Sequence, residues 1–367
     1  RLSPIYQEDW VGDPDNGIVG YRDKGYSMDA LVGESGVEKA FEEYLHGENG
    51  TKLITTTSDG QITGEFYTKE PKPGNTVALT LDIDLQEDVE KALSKTIGDM
   101  TEEDGIRRGG AAVVVGVGSG EVLALASYPT YDISKWDEIY DTLASDDEGA
   151  PLFNRAIGGT YAPGSTYKMC TATAGINAGV ITPRTTYKCT GAMDYYGTIF
   201  HCWERSGHDR EDLADAVRDS CNIYFYNVGI NAGIDALTKT AQSYGLGEAT
   251  GIELSESTGV NAGPAFSEKL GATWHQGNVL SAAIGQSDNQ FSPLQLANYI
   301  ATFINGGTHY KAHLLKTVKS SDNSKILYQY EPEVLNKVEL DQDAWNAIKK
   351  GMGEVIEADS ITDCERS

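Results

Sequence analysis

Two short segments carry residues whose types and spacing suit acyl transfer. In Tyr161-Ala162-Pro163-Gly164-Ser165-Thr166-Tyr167-Lys168, Pro163 and Gly164 open the chain into a helix expected over 165–178 and stopped by Gly179. Ser165 then lies in the first turn, beside free backbone N–H groups and the positive end of the helix dipole, a setting that favours an alkoxide-like charge. Lys168 follows three residues later on the same face. A partly desolvated lysine amine can lose its proton and serve as the base that activates a serine hydroxyl, and the i, i+3 spacing brings the two within reach. The second segment, Ser220-Cys221-Asn222, follows a helical stripe of Leu213, Ala216 and Val217. A Ser-x-Asn turn sets a hydroxyl and an amide side by side. The hydroxyl of Ser220 can relay a proton between Lys168 and a leaving group, and the amide of Asn222 can hold a substrate carbonyl. Taken singly, either segment also reads as a capping serine, a solvent lysine or an ordinary turn.

A third cluster is less defined. The cysteines are Cys170, Cys189, Cys202, Cys221 and Cys364, and no C-x-x-C pair occurs. Cys170 sits in an apolar helical stretch and reads as a small buried hydrophobe. Cys189 and Cys202 flank a polar, Tyr-containing loop with Asp194, His201 and His208 nearby. Three readings are open for that pair: a disulfide in an oxidising compartment, a metal such as zinc, or two unpaired thiols.

The elements that must position these groups are readable in outline. Residues 1–74 are polar and irregular, with one helical pattern over 36–45 that puts Val37, Phe41, Tyr44 and Leu45 on one face. Pro71, Pro73 and Gly74 read as a linker. A second region, 75–367, begins with the short strand Val77-Ala78-Leu79-Thr80-Leu81. Leu85, Val89, Leu93 and Ile97 follow at helical spacing. Two apolar strands around Gly118-Ser119-Gly120 predict a hairpin over 111–126. The pattern from 165 to 305 is mostly helical. A further hairpin is expected over 314–330 around Ser320-Ser321-Asp322-Asn323, and a helix over 343–355. This order argues for an α+β domain with helices packed on an antiparallel sheet.

The formal charge is -26, a surface that repels phosphate backbones and excludes nucleic acid as a partner class. The longest apolar run, 111–117, is a strand's length and far short of a membrane span. Arg1 is not an initiator Met, and the natural N-terminus is expected upstream of it.

Together the segments resemble a known family. Of the three motifs of penicillin-binding proteins and their β-lactamase relatives, Ser-x-x-Lys, Ser-Asp-Asn and Lys-Thr-Gly, Ser165-Thr166-Tyr167-Lys168 matches the first, and Ser220-Cys221-Asn222 follows the second as Ser-x-Asn, with Cys in place of Asp. Longer stretches at 35–47, 79–82, 154–156, 283–286 and 292–297 run in the family's order. The chain resembles a class B penicillin-binding protein, a monofunctional D,D-transpeptidase of the penicillin-binding protein 2-like, Gram-positive type. The resemblance implies a penicillin-binding/serine β-lactamase-like transpeptidase domain at 75–367 after part of a pedestal or dimerisation-type module at 1–74. It implies Ser165, Lys168 and Ser220 as catalytic, Asn222 as substrate-binding, and no cofactor. Peptidoglycan stem peptides, β-lactam antibiotics and membrane-embedded cell-wall synthesis partners are the partners expected. The location expected is the extracytoplasmic face of the membrane, with the anchoring helix upstream of Arg1. The alternatives are a non-catalytic penicillin-binding-like scaffold and a β-lactam sensor or β-lactamase. The third motif is absent. Arg205-Ser206-Gly207 precedes Ser220 in a polar loop, and Ser321-Asp322-Asn323 falls at a hairpin tip. A strand bearing Lys-Thr-Gly is therefore expected beyond Ser367.

Overall fold

A computed structural model describes residues 2–13 and 16–357. Cys364 lies outside the described residues. The chain divides into two compact units: one comprises 1–80, 252–255 and 313–331, and the other comprises 81–251, 256–312 and 332–367.

In the first unit the helical pattern over 36–45 forms two short helices, Gly36–Ala40 and Glu42–Leu45. Phe41 between them leaves helical geometry and is buried. Strand Leu315–Lys319 is the centre of a three-stranded sheet. It pairs antiparallel with Ile326–Gln329 on one side, the hairpin expected from sequence, and with Thr76–Leu79 on the other. That second pairing carries the unit's edge to Thr80, several residues past the 74/75 division expected from composition. Strand 76–79 takes its backbone partners from residues more than two hundred positions later, a tie no local signal reveals. The Ser321-Asp322-Asn323 tip is a local turn in which Asp322 accepts hydrogen bonds from Ser320 and Ser324.

The second unit holds the chemistry. Helix Ile83–Asp104 starts at Asp82, whose carboxylate accepts the N–H groups of Asp84 and Leu85, and ends at Gly105 in a left-handed turn. It packs on the antiparallel hairpin of Gly110–Val115 and Val122–Tyr128, where Val122, Ala124 and Ala126 form the buried face. Helix Lys168–Asn177 runs through the core. Every residue from Lys168 to Gly175 is buried, because helices Asn222–Ala232 and Ile234–Ser243 cover it. Tyr167, Tyr224, Phe225, Tyr244, Phe291 and Tyr299 fill the space around it. Helix Pro293–Ile304 begins with a reciprocal capping box between Ser292 and Gln295. The α+β architecture expected from element order is present: helices with antiparallel sheets.

One stretch departs from the expected pattern. Residues 187–211, placed in a mainly helical region, form two antiparallel ribbons: Tyr187–Cys189 with Asp209–Glu211, and Ala192–Tyr195 with Thr198–His201. The inner ribbon turns at Tyr196-Gly197, both with positive φ (52° and 79°), which is hairpin-turn geometry. Among the described residues no helix is long and apolar enough to cross a membrane.

Candidate active site

Ser165 sits one step before the α-helix proper. Gly164–Tyr167 form a 3₁₀ turn that continues into helix Lys168–Asn177. The turn is held from outside the helix. Gly164 has φ +57°, and its N–H donates to the carbonyl of Gly285 at 3.0 Å. A Cβ on Gly285 would lie 2.1 Å from the Gly164 oxygen, so only glycine allows this approach. The Tyr299 hydroxyl donates to the Thr166 carbonyl (3.1 Å), and the Thr171 hydroxyl to the Ala283 carbonyl (2.7 Å). Ser165 is thereby presented, exposed, on a clamped backbone.

Ser220 follows helix Leu213–Arg218, which Asp212 caps through the N–H groups of Ala214 and Asp215. Its φ is +49°, a left-handed conformation costing a non-glycine residue about 1–2 kcal/mol. The turn aims its hydroxyl at Ser165, to whose Oγ it donates at 3.0 Å. The Lys168 ammonium donates to three acceptors: Ser220 Oγ (2.8 Å), the Ser220 carbonyl (2.7 Å) and Asn222 Oδ1 (2.8 Å). Its Nζ also lies 5.7 Å from the Phe225 ring centroid.

The four residues expected from sequence therefore meet, with one refinement. Lys168 does not bond Ser165 directly; the Ser220 hydroxyl stands between them as a bridge. Lys168 is 3% exposed, and that burial brings its amine down to about 8, against a smaller upward pull from Cys202 and Cys221. A lysine in this state supplies a neutral amine near physiological pH.

Behind the Ser-x-Asn turn lies a second cluster. Single donor atoms of Cys189, Cys202, His208 and Cys221 all lie within 4.8 Å of one another. The four described cysteines are free thiols, so Cys189 and Cys202 are not joined as a disulfide. Of the residues suspected near them, His208 joins the cluster. Its Nδ1 lies 3.6 Å from Cys202 Sγ, and its Nε2 is buried without a partner. Asp194 and His201 do not join: the Asp194 carboxylate accepts the Gly197 N–H, and His201 is exposed. The Cys202 thiol is held low, first by a hydrogen bond from Cys221 and then by backbone N–H groups that include Asn222. Three sulfurs and one imidazole are the donor set of a closed, four-coordinate zinc site. Cys221 was visible in sequence only as the middle of Ser-x-Asn; its part here comes from the ribbon that returns Cys202 to it.

Sequence reasoning also missed Glu211, 3% exposed on the outer ribbon beside Asp219. Burial first, then the Asp219 charge, push the Glu211 carboxyl up to about 8, so it donates to Asp219. Asp219 is held ionised by Arg218, which donates to it at 2.8 and 2.7 Å. Asp219 directly precedes Ser220. Arg205-Ser206-Gly207 is a surface loop in which Ser206 bonds Glu204.

Comparison with known proteins identifies the family. Residues 110–363 match the penicillin binding protein transpeptidase domain, and residues 13–79 match the penicillin-binding protein dimerisation domain. The peptidoglycan D,D-transpeptidase MrdA of Haemophilus influenzae is 31% identical over 340 residues, covering 89% of this chain and 49% of the relative. The chain thus spans about half the length of the curated relatives it matches. A chain from a structure describing polymerization and crosslinking by a peptidoglycan synthase complex is 32% identical with a TM-score of 0.79, covering 92% of this chain and 58% of that one. Pseudomonas aeruginosa PBP2, solved with WCK 5153, is 28% identical with a TM-score of 0.77, covering 97% of this chain and 71% of that one. The transpeptidase-domain match over 110–363, after a dimerisation-domain match over 13–79 in the sequence, makes the chain a member of the class B penicillin-binding proteins.

Proposed function

We propose that this protein is a peptidoglycan D,D-transpeptidase that works through a Ser165 acyl-enzyme and is a covalent target of β-lactams. The observation that carries the reading is the hydrogen-bonded series Lys168–Ser220–Ser165. With Lys168 neutral, the Ser165 hydroxyl proton passes to Ser220 Oγ while the Ser220 proton passes to Lys168 Nζ. The Ser165 oxygen attacks the carbonyl of the penultimate D-Ala, and the C–N bond to the terminal D-Ala breaks. The proton on Lys168 returns through Ser220 to the leaving amine. An amine of a neighbouring stem then takes the acyl group by the reverse path. Asn222, whose Oδ1 is turned to Lys168, presents its amide at the same cleft and would hold the stem backbone. A Lys-Thr-Gly strand of the family's kind would supply the positive group for the substrate carboxylate. This substrate places the protein on the outer face of the cell membrane, and the polymerising enzymes of the cell wall are its partners by chemistry.

The reading is tested by intact-mass spectrometry of the full-length protein after a β-lactam. One adduct is expected on the native protein and none on Ser165→Ala; an adduct that persists in the variant would remove Ser165 from the role.

Cys189, Cys202, His208 and Cys221 would hold a zinc ion that ties the two ribbons to the Ser-x-Asn turn. With all four positions taken by protein it would have a structural role. Elemental analysis should find one zinc per chain, lost in Cys189→Ser; a metal-free, fully folded protein in which Cys189, Cys202 and Cys221 all react as free thiols would exclude it.

A further inference from the structure

A cleft of about 510 Å³ opens between the ribbon Ala192–Tyr195/Thr198–His201 and the segment His275–Asn278 that leads into helix Asn278–Ala283. That volume is in the range of small-ligand sites. Both walls are tied to the catalytic residues. On one side the His201 carbonyl accepts from Asn222 Nδ2 (3.4 Å) and from the Tyr226 hydroxyl (3.3 Å). On the other, the helix ends at Ala283, and Gly285 beyond it clamps the Ser165 turn. The floor is closed where Phe200 meets Gly277, at which a Cβ would stand 3.3 Å from the Phe200 ring.

The lining has a definite chemistry. Tyr195, Tyr196 and Phe200 supply aromatic surface, and His275, Gln276 and Asn278 supply polar groups. No carboxylate lines it, in a chain of net charge -26. Tyr196 is 81% exposed, with its ring edge-on to Tyr195 at 4.7 Å. It occupies the first of two positive-φ turn positions, where Asn, Asp or Gly is the easy choice. A bulky aromatic in an unfavourable backbone conformation, unburied by its own fold, points to a ligand contact rather than to stability.

We propose that this cleft binds an uncharged N-acetylated sugar of the glycan strand that carries the stem peptide. Aromatic faces cover the apolar face of a pyranose, and amide, imidazole and hydroxyl groups serve its hydroxyls and acetamide. Stem peptides bear carboxylates and amines and would call for fixed charges that this lining lacks. The proposal rests on the transpeptidase reading for its choice of sugar, and it extends the substrate from peptide to peptide plus glycan.

The test is calorimetric titration of the full-length protein with N,N′,N″-triacetylchitotriose. Beside it, β-lactam adduct formation at Ser165 is measured on the same samples. Saturable binding is expected on the native protein, weakened at least tenfold in Tyr196→Ala and in Gln276→Ala. Both side chains are exposed, so folding should be intact, as unchanged melting will show. β-Lactam adducts should form normally in both variants. Absence of saturable sugar binding by the native protein, or binding that both variants retain in full, overturns the proposal. Tighter binding of a free stem pentapeptide at this cleft, lost in the same variants, overturns it as well. Loss of the β-lactam adduct from the native protein would instead strike at the transpeptidase reading, so the two failures are distinguishable.

Discussion

The pH dependence of acylation follows from the burial of one amine. Lys168 is 3% exposed, and its amine falls to about 8 because burial disfavours the ammonium. In the proposed relay only the neutral amine can accept the proton passed from Ser165 through Ser220. Its fraction is about 1% at pH 6, about 10% at pH 7, about half at pH 8 and about 90% at pH 9. The second-order acylation constant of the full-length protein should therefore climb about tenfold per pH unit below 7, bend near 8 and level off by 9. Stopped-flow acylation with a fluorescent penicillin, followed from pH 5.5 to 9.5, reads this directly. In Lys168→Arg the guanidinium stays protonated, and the rate should fall by at least about 10²-fold. A flat profile between pH 6 and 9 would refute the role of Lys168 as base. So would a climb that continues unbent toward the ordinary lysine range, or native rates in Lys168→Arg.

Other outcomes follow from the same contacts. Ser220→Ala breaks the bridge between Lys168 and Ser165 and should slow acylation by about 10²–10³-fold, with melting little changed, since a strained backbone position is kept. A protein that acylates normally without this hydroxyl would mean that Lys168 reaches Ser165 directly. Gly285→Ala places a Cβ 2.1 Å from the Gly164 oxygen at a positive φ and should cost about 2–4 kcal/mol in denaturant unfolding, with acylation impaired in the fraction still folded. Glu211 keeps its proton in the fold up to about 8 but loses it in the unfolded chain near the ordinary carboxylate value of 4.5. Its contribution to stability is thus fully present below 4.5 and lost as pH rises through 8. Glu211→Gln removes that loss, and its melting temperature should gain on the native protein between pH 5 and pH 8; equal pH profiles would show that Glu211 is ionised in the fold.

Much of the site was legible because its signals are local. Pro163-Gly164 before Ser165 and the i, i+3 position of Lys168 fix one helix start, and the stripe Leu213, Ala216, Val217 fixes the helix leading to Ser220. What sequence could not show was contact across long separations. The bridge by Ser220 spans 55 residues, and the Gly285 clamp on Gly164 depends on the approach of two backbones. The Cys189–Cys202 pair, for which disulfide, metal and free-thiol readings stayed open, could not be narrowed from sequence for a related reason. Its ribbons are three or four residues long, too short for a clear alternating pattern, and Cys221 joins them only after the chain folds back. Likewise strand Thr76–Leu79 looked like the start of the catalytic region, while its partner Leu315–Lys319 draws it into the other unit.

In the proposed reaction Ser165 carries the acyl group of a stem peptide. The most direct measurement is peptide mapping of the full-length protein quenched during turnover of a D-Ala-D-Ala stem substrate. A modification on Ser165 equal to the stem minus its terminal D-Ala is expected, one that disappears when an amine acceptor is added and never forms in Ser165→Ala. Release of D-Ala with Ser165 unmodified, or a modification on any other residue, would contradict it.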